Sequence, residues 1–164
     1  KKKVEPILKQ IKALSDEMAG EMERLSSSLE GSEYLREIPS VGPIVAATLM
    51  SVFHGAEFAS SDAAVAFAGL DCRVHQSGKF IGQSKISRQG DRLLRKHLYL
   101  AALTGKRLPC WRPYYERMLA KGLKKIQAIV ALSRKILRAA WSVYHERKHF
   151  DVSRIYRQPI DLRT

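Results

Sequence analysis

Arg73-Val74-His75-Gln76-Ser77-Gly78-Lys79-Phe80-Ile81-Gly82-Gln83-Ser84-Lys85-Ile86-Ser87-Arg88-Gln89-Gly90 is the one long stretch without helical periodicity, and its placement decides the fold. It holds three glycines and three serines and carries Arg73, Lys79, Lys85 and Arg88 without a carboxylate. Phe80, Ile81 and Ile86 are apolar positions on the far side of Ser77-Gly78, a pattern that predicts a small β-hairpin. The stretch runs directly into a helix opening Asp91-Arg92-Leu93-Leu94-Arg95-Lys96. A hydroxyl beside glycine and ringed by cations suits a nucleophile meeting a phosphate. A basic hairpin that touches nucleic-acid backbone without chemistry is the plainer reading, and composition alone favours it.

Working outward, the charge is lopsided. Residues 1–33 hold six Lys/Arg and seven Asp/Glu, whereas the chain as a whole is +13. Between Arg73 and Arg107 stand nine basic residues and one acid, Asp91. Lysine added for solubility would be spread evenly; this concentration points to a polyanion, with nucleic acid the default. A membrane surface fits less well, because no helix pairs a lysine-rich face with a broad apolar one. No apolar run is long enough to span a bilayer, and Lys1-Lys2-Lys3 leads into a polar helix rather than a secretory signal. Cys72 and Cys110, distant and outside any C-x-x-C pattern, read as reduced thiols of a cytoplasmic protein.

The 164 residues allow one domain with a core plus an appendage. Val4, Ile7, Leu8, Ile11, Leu14, Met18, Met22, Leu25 and Leu29 recur at spacings of three and four, predicting one helix over 4–30. The stripe is narrow, as in a coiled coil, so residues 1–33 are read as a coiled-coil-type helix joining copies into a homo-oligomer. The chain starts inside this pattern without a cap, as expected of a fragment. Residues 34–152 form the main domain and 153–164 a surface tail.

Ile38-Pro39-Ser40-Val41-Gly42-Pro43 resembles a helix-hairpin-helix turn, with Pro43 opening the second helix. The turn either holds a phosphate on its N–H groups or serves as core scaffold. Further helices are expected over 61–70, with a Ser or Asp cap and a glycine stop, and over 91–106, 114–120 and 124–148. In the helix over 91–106, Arg92, Lys96 and Tyr99 fall on one face and Leu94, Leu98 and Ala101 on another. Arg134, Lys135 and Arg138 face either a ligand or solvent. The architecture expected is therefore mainly α, with a helix-hairpin-helix-like segment and a small β-hairpin. His145-Glu146-Arg147-Lys148-His149 matches the zinc-protease pattern H-E-x-x-H. It falls at a basic helix end with no third ligand nearby, so no metal site is assigned.

Taken together, the segments resemble the C-terminal serine domain of the insertion-sequence family 110 transposases, the DEDD-type, RNA-guided recombinases. The residues that carry the likeness are Ile38 to Pro43, Phe67-Ala68-Gly69-Leu70, Ser77-Gly78, Gly82, Lys85 to Gly90, Arg95, Tyr115 to Met118 and Arg134 to Leu137. The resemblance implies a DNA transposase or recombinase in which Ser77 attacks a phosphodiester and becomes joined to DNA. Arg73, Lys79, Lys85, Arg88, Arg92, Arg95 and Lys96 are the candidate nucleic-acid contacts. It also implies a RuvC-like domain outside this stretch, carrying four carboxylates for magnesium, and a structured guide RNA as partner. The stretch itself would need no cofactor and would be inactive alone. The competing expectation is a non-catalytic helix-hairpin-helix module that only binds nucleic acid.

Overall fold

A computed structural model describes residues 4–73, 76–77, 80–81 and 85–155. The described chain is mainly helical. Its order is α1 (Val4–Ser27), α2 (Ser32–Arg36), α3 (Pro43–Gly55), α4 (Ser61–Phe67), α5 (Arg92–Gly105), α6 (Arg112–Ala120) and α7 (Lys125–Glu146), closed by a 3-10 turn at Val152–Ile155. Between α4 and α5 lie four two-residue extended pieces: β1 (Cys72–Arg73), β2 (Gln76–Ser77), β3 (Phe80–Ile81) and β4 (Lys85–Ile86).

α7 is the central element, and α2, α4, α5 and α6 all pack on it. The reason lies in its sequence. Ala128, Ile129, Leu132, Ile136, Leu137, Ala140 and Val143 recur every three or four residues and are all buried. Ser133 is buried among them and donates its hydroxyl to the Ile129 carbonyl at 3.0 Å, satisfying itself within the helix. Leu94, Leu98, Ala101 and Ala102 of α5 meet this face, and Leu49, Met50 and Phe53 of α3 complete the core. The turn between α2 and α3 is fastened from outside, since the fully buried Trp111 donates its indole N–H to the Pro39 carbonyl at 2.8 Å.

Several boundaries differ from the sequence expectation, α7 ending at Glu146 instead of 148 among them. α1 stops at Ser27 instead of continuing to 30, because Ser27 and Ser28 turn their hydroxyls onto the Glu23 and Leu25 carbonyls and compete with the helix. α6 starts at Arg112, two residues early: Pro113 sits in the first turn, where its missing N–H has no intrahelical partner to lose. The segment read as a surface tail is anchored at its start, with Ile155 buried in the core.

α1 runs against α3 and α2 near its C-terminal end. Met22 of its apolar stripe is half-buried, but Val4, Ile7, Leu8, Ile11, Leu14, Met18 and Leu25 stay 53–69% exposed, so the chain's own core leaves most of the stripe uncovered.

Candidate nucleic-acid interface

The basic stretch is held at both ends by backbone contacts with the end of α4. Leu70 lies just past α4, and Gly69 and Gly90 are left-handed at φ 64 and 137. The Arg88 N–H donates to the Gly69 carbonyl at 3.1 Å, and the Asp91 N–H to the Phe67 carbonyl at 2.9 Å. A Cβ on Gly90 would fall 2.0 Å from that carbonyl oxygen, so only glycine lets the two backbones approach. Ser87 adds a third tie: its N–H donates to the Asp71 carbonyl at 3.0 Å, and its hydroxyl donates to the Asp71 carboxylate. Asp91 then caps α5, accepting the Leu94 N–H at 2.8 Å.

Between these anchors the extended pieces form two nested antiparallel pairings. Cys72 pairs with Ile86 and Arg73 with Lys85, antiparallel. Gln76 pairs with Ile81 and Ser77 with Phe80 in the same sense. Ser77 thus stands at the inner end of the narrower pairing, while Arg73 and Lys85 are cross-strand partners one step out. Lys79 lies outside the described residues, as do Gly78 and Gly82 of the family pattern.

Beside this segment a groove of about 330 Å³ opens between the start of α5 and α7. Leu70, Ile86 and Val130 give it an apolar floor, and Arg92, Arg95, Lys96 and Tyr99 line its wall. Arg92 and Lys96, one helical turn apart, are exposed. Arg95 behaves differently. It is half-buried, and its guanidinium donates to the Ala68 carbonyl at 2.8 Å, satisfying the C-terminal end of α4. The residue expected only as a nucleic-acid contact therefore also fastens α5 to α4. Arg88, which is not among the groove's lining residues, is exposed and left-handed at φ 55. Next to Lys96, His97 is turned inward, its Nδ1 2.7 Å from the Thr48 hydroxyl. Burial, and then the neighbouring Lys96 charge, hold its pKa below the ordinary value, with Asp91 opposing.

A second group of half-buried cations stands on α6 and α7: Arg117, Arg134 and Arg138 near Tyr114, and Lys135 near Arg138 and Arg117. Sequence reasoning names the three on α7 as cations facing a ligand or solvent, whereas Arg117 enters only within the Tyr115 to Met118 stretch of the family likeness. The i, i+4 spacing of Arg134 and Arg138 marks a common face; that α6 delivers a fourth cation to it depends on how the two helices pack.

The zinc-protease pattern is dispersed by the end of α7. Arg147 turns left-handed at φ 49, which takes His149 off the helical face carrying His145. His145 stacks on Trp141, ring centroids 4.8 Å apart, while the His149 Nδ1 lies 2.7 Å from Glu37. Glu146 accepts from the Ser142 hydroxyl at 2.7 Å and from Lys148 at 3.1 Å, which hold its pKa down at about 2. Among the described residues no three His, Cys, Asp or Glu side chains converge on one point, and no helix is long and apolar enough to cross a membrane.

Residues 32–116, from the start of α2 into α6, match the Transposase IS116/IS110/IS902 family. Over 118 residues the chain is 34% identical to an insertion element IS900 uncharacterized 42 kDa protein of Mycobacterium paratuberculosis, covering 70% of this chain and 30% of that protein. It is also 34% identical over 121 residues to a pilin gene-inverting protein of Moraxella bovis, covering 71% and 38% respectively. The chain therefore spans little more than a third of these relatives' length at most. The matched region contains β1 to β4, the α5 wall of the groove and both glycines, Gly69 and Gly90, and on that footing the chain belongs to the IS116/IS110/IS902 family of transposases.

Proposed function

We propose that this chain is the serine-bearing part of a DNA recombinase and that Ser77 is its nucleophile. The observation that carries the reading is the family match, which spans the whole of the Ser77 segment and the cationic wall of the groove beside it. The name of the Moraxella relative, a gene-inverting protein, describes the same class of reaction. In the proposed step the Ser77 Oγ forms a bond to phosphorus as one P–O bond to deoxyribose breaks. The serine proton passes to a base and the departing sugar oxygen takes one up. A phosphoester is exchanged for a phosphoester, so rejoining needs no ATP. The negative charge developing on the phosphoryl oxygens needs fixed cations, and Arg88, Arg92 and Lys96 are exposed candidates at the segment's C-terminal end and on α5.

The magnesium implied by the family finds no holder among the described residues, which bring no such group of ligands together. The reading assigns it to carboxylates of a RuvC-like part of the full-length protein; Ser77 and its cations are what this chain supplies. A structured RNA that selects the DNA site belongs to the same proposal, as does pairing of α1 with α1 of a second copy to cover its exposed stripe.

The test is Ser77→Ala in the full-length protein. Strand cleavage should be abolished while DNA affinity changes less than about twofold, because one hydroxyl is a small part of an interface dominated by phosphate contacts. Recombination at the normal rate by this variant would leave a binding module as the better reading.

A further inference from the structure

The cations on α6 and α7 do not belong to the Ser77 groove, and their arrangement is unlike a solvated face. Tyr114, Arg117, Arg134, Lys135 and Arg138 are all half-buried. The Arg117 guanidinium lies 5.7 Å from the Tyr114 ring centroid. Arg138 is held by Asp62 of α4, through Nε at 2.9 Å and Nη2 at 2.7 Å. An anion offsets the mutual repulsion of crowded, partly desolvated cations, as the Asp62 carboxylate does for Arg138. Burial, followed by the Arg138 and Arg117 charges, pushes the Lys135 ammonium pKa down, which is the expected mark of that crowding. Burial raises the Tyr114 phenol, outweighing the three arginines near it, so its hydroxyl keeps its proton and remains a donor.

We infer that Arg117, Arg134, Lys135 and Arg138, with the Tyr114 hydroxyl, form a second phosphate site that binds the sugar-phosphate backbone of DNA away from the Ser77 segment. Guanidinium forks and a phenol donor suit a phosphodiester, whose unesterified oxygens accept several hydrogen bonds at once. Continuity favours DNA backbone over a small free phosphate. Val130 floors the first groove, and Arg134 and Arg138 follow it one and two turns along α7, roughly 6 and 12 Å further. A strand lying against Arg92 and Lys96 can continue along α7 into the second site.

The inference rests on reading the chain as a DNA-binding recombinase, and the experiment separates the two. Binding of a labelled DNA duplex is measured against salt for the wild-type chain, for Arg134→Gln/Lys135→Gln and for Arg92→Gln/Lys96→Gln. The α7 pair should bind any sequence about tenfold more weakly, and the slope of log affinity against log salt should flatten by about 1.8, or 0.9 for each phosphate no longer neutralised. If the wild type binds and the α5 pair weakens it while the α7 pair changes neither affinity nor slope, the second site is wrong and the recombinase reading stands. If the wild type shows no salt-dependent binding, both fail. Should the α7 pair unfold, Lys135→Gln alone decides: a slope flattened by about 0.9 supports the site, and an unchanged slope overturns it. Inorganic phosphate that competes with DNA equally well for wild type and the α7 pair would likewise overturn it.

Discussion

Ser40 occupies the tight turn between α2 and α3 at φ 78, a left-handed conformation that costs a serine energy but costs glycine none. Its hydroxyl is buried without a hydrogen-bond partner among the described residues. Ser40→Gly should therefore stabilise the chain by about 1 kcal/mol, the relief of backbone strain exceeding the extra entropy of glycine in the unfolded state. A urea midpoint that moved down would show that the hydroxyl is needed. The same residue shows what sequence can disclose. A tight turn is legible from Pro39, Gly42 and Pro43, whose glycine is the expected left-handed residue, yet Gly42 is extended at φ −81 and Ser40 takes the positive φ. The contact next to it is not legible locally, since the Trp111 indole that holds Pro39 comes from a remote part of the chain.

At the scale of elements, α1 stands apart. Its apolar residues repeat as regularly as those of α7, yet α7 buries its stripe and α1 leaves seven large side chains more than half exposed. Each such side chain gains roughly 1.5–3 kcal/mol when fully buried, so a second α1 is a strong partner. Sedimentation should show a dimer or higher species, converted to monomer by replacing Leu14, Met18 and Leu25 with glutamate. A chain that stays monomeric at high micromolar concentration would contradict the pairing. Periodicity makes the helices legible because burial along a helix repeats every 3.6 residues. It does not distinguish a stripe covered by the chain's own core from one left for another copy. Pro113 shows the complementary limit: proline reads as a break, whereas its position in the first turn makes it a start.

For the whole molecule, the protonation shifts of His97, Glu37 and Glu146 all favour the fold at higher pH. His97 has its folded pKa below the ordinary 6.5, so the unfolded chain takes up its proton more readily. The stability that its neutral form contributes is complete above about pH 6.5 and declines as pH falls below that value. Glu37 and Glu146 are held below 4.5 by their hydrogen bonds, so their contribution is present above 4.5 and is lost as pH falls, toward about 2 for Glu146. Both carboxylates are exposed and screened, which makes the His97 step the more telling one. Urea midpoints should fall between about pH 6.5 and 5 in the wild type, and His97→Gln should flatten that segment. A wild-type midpoint that rose on acidification would contradict the inward, neutral setting of His97.

The proposed chemistry is tested most directly by trapping the covalent intermediate. The full-length protein is incubated with its DNA substrate and denatured, and the DNA-linked peptide is identified by mass spectrometry. Ser84 and Ser87 are internal controls from the same basic stretch, and the Ser87 hydroxyl is already engaged by Asp71. The adduct should map to the peptide holding Ser77-Gly78, persist in Ser84→Ala, and vanish in Ser77→Ala. An adduct on Ser84 or Ser87, or strand exchange that proceeds normally in Ser77→Ala, would contradict Ser77 as the nucleophile.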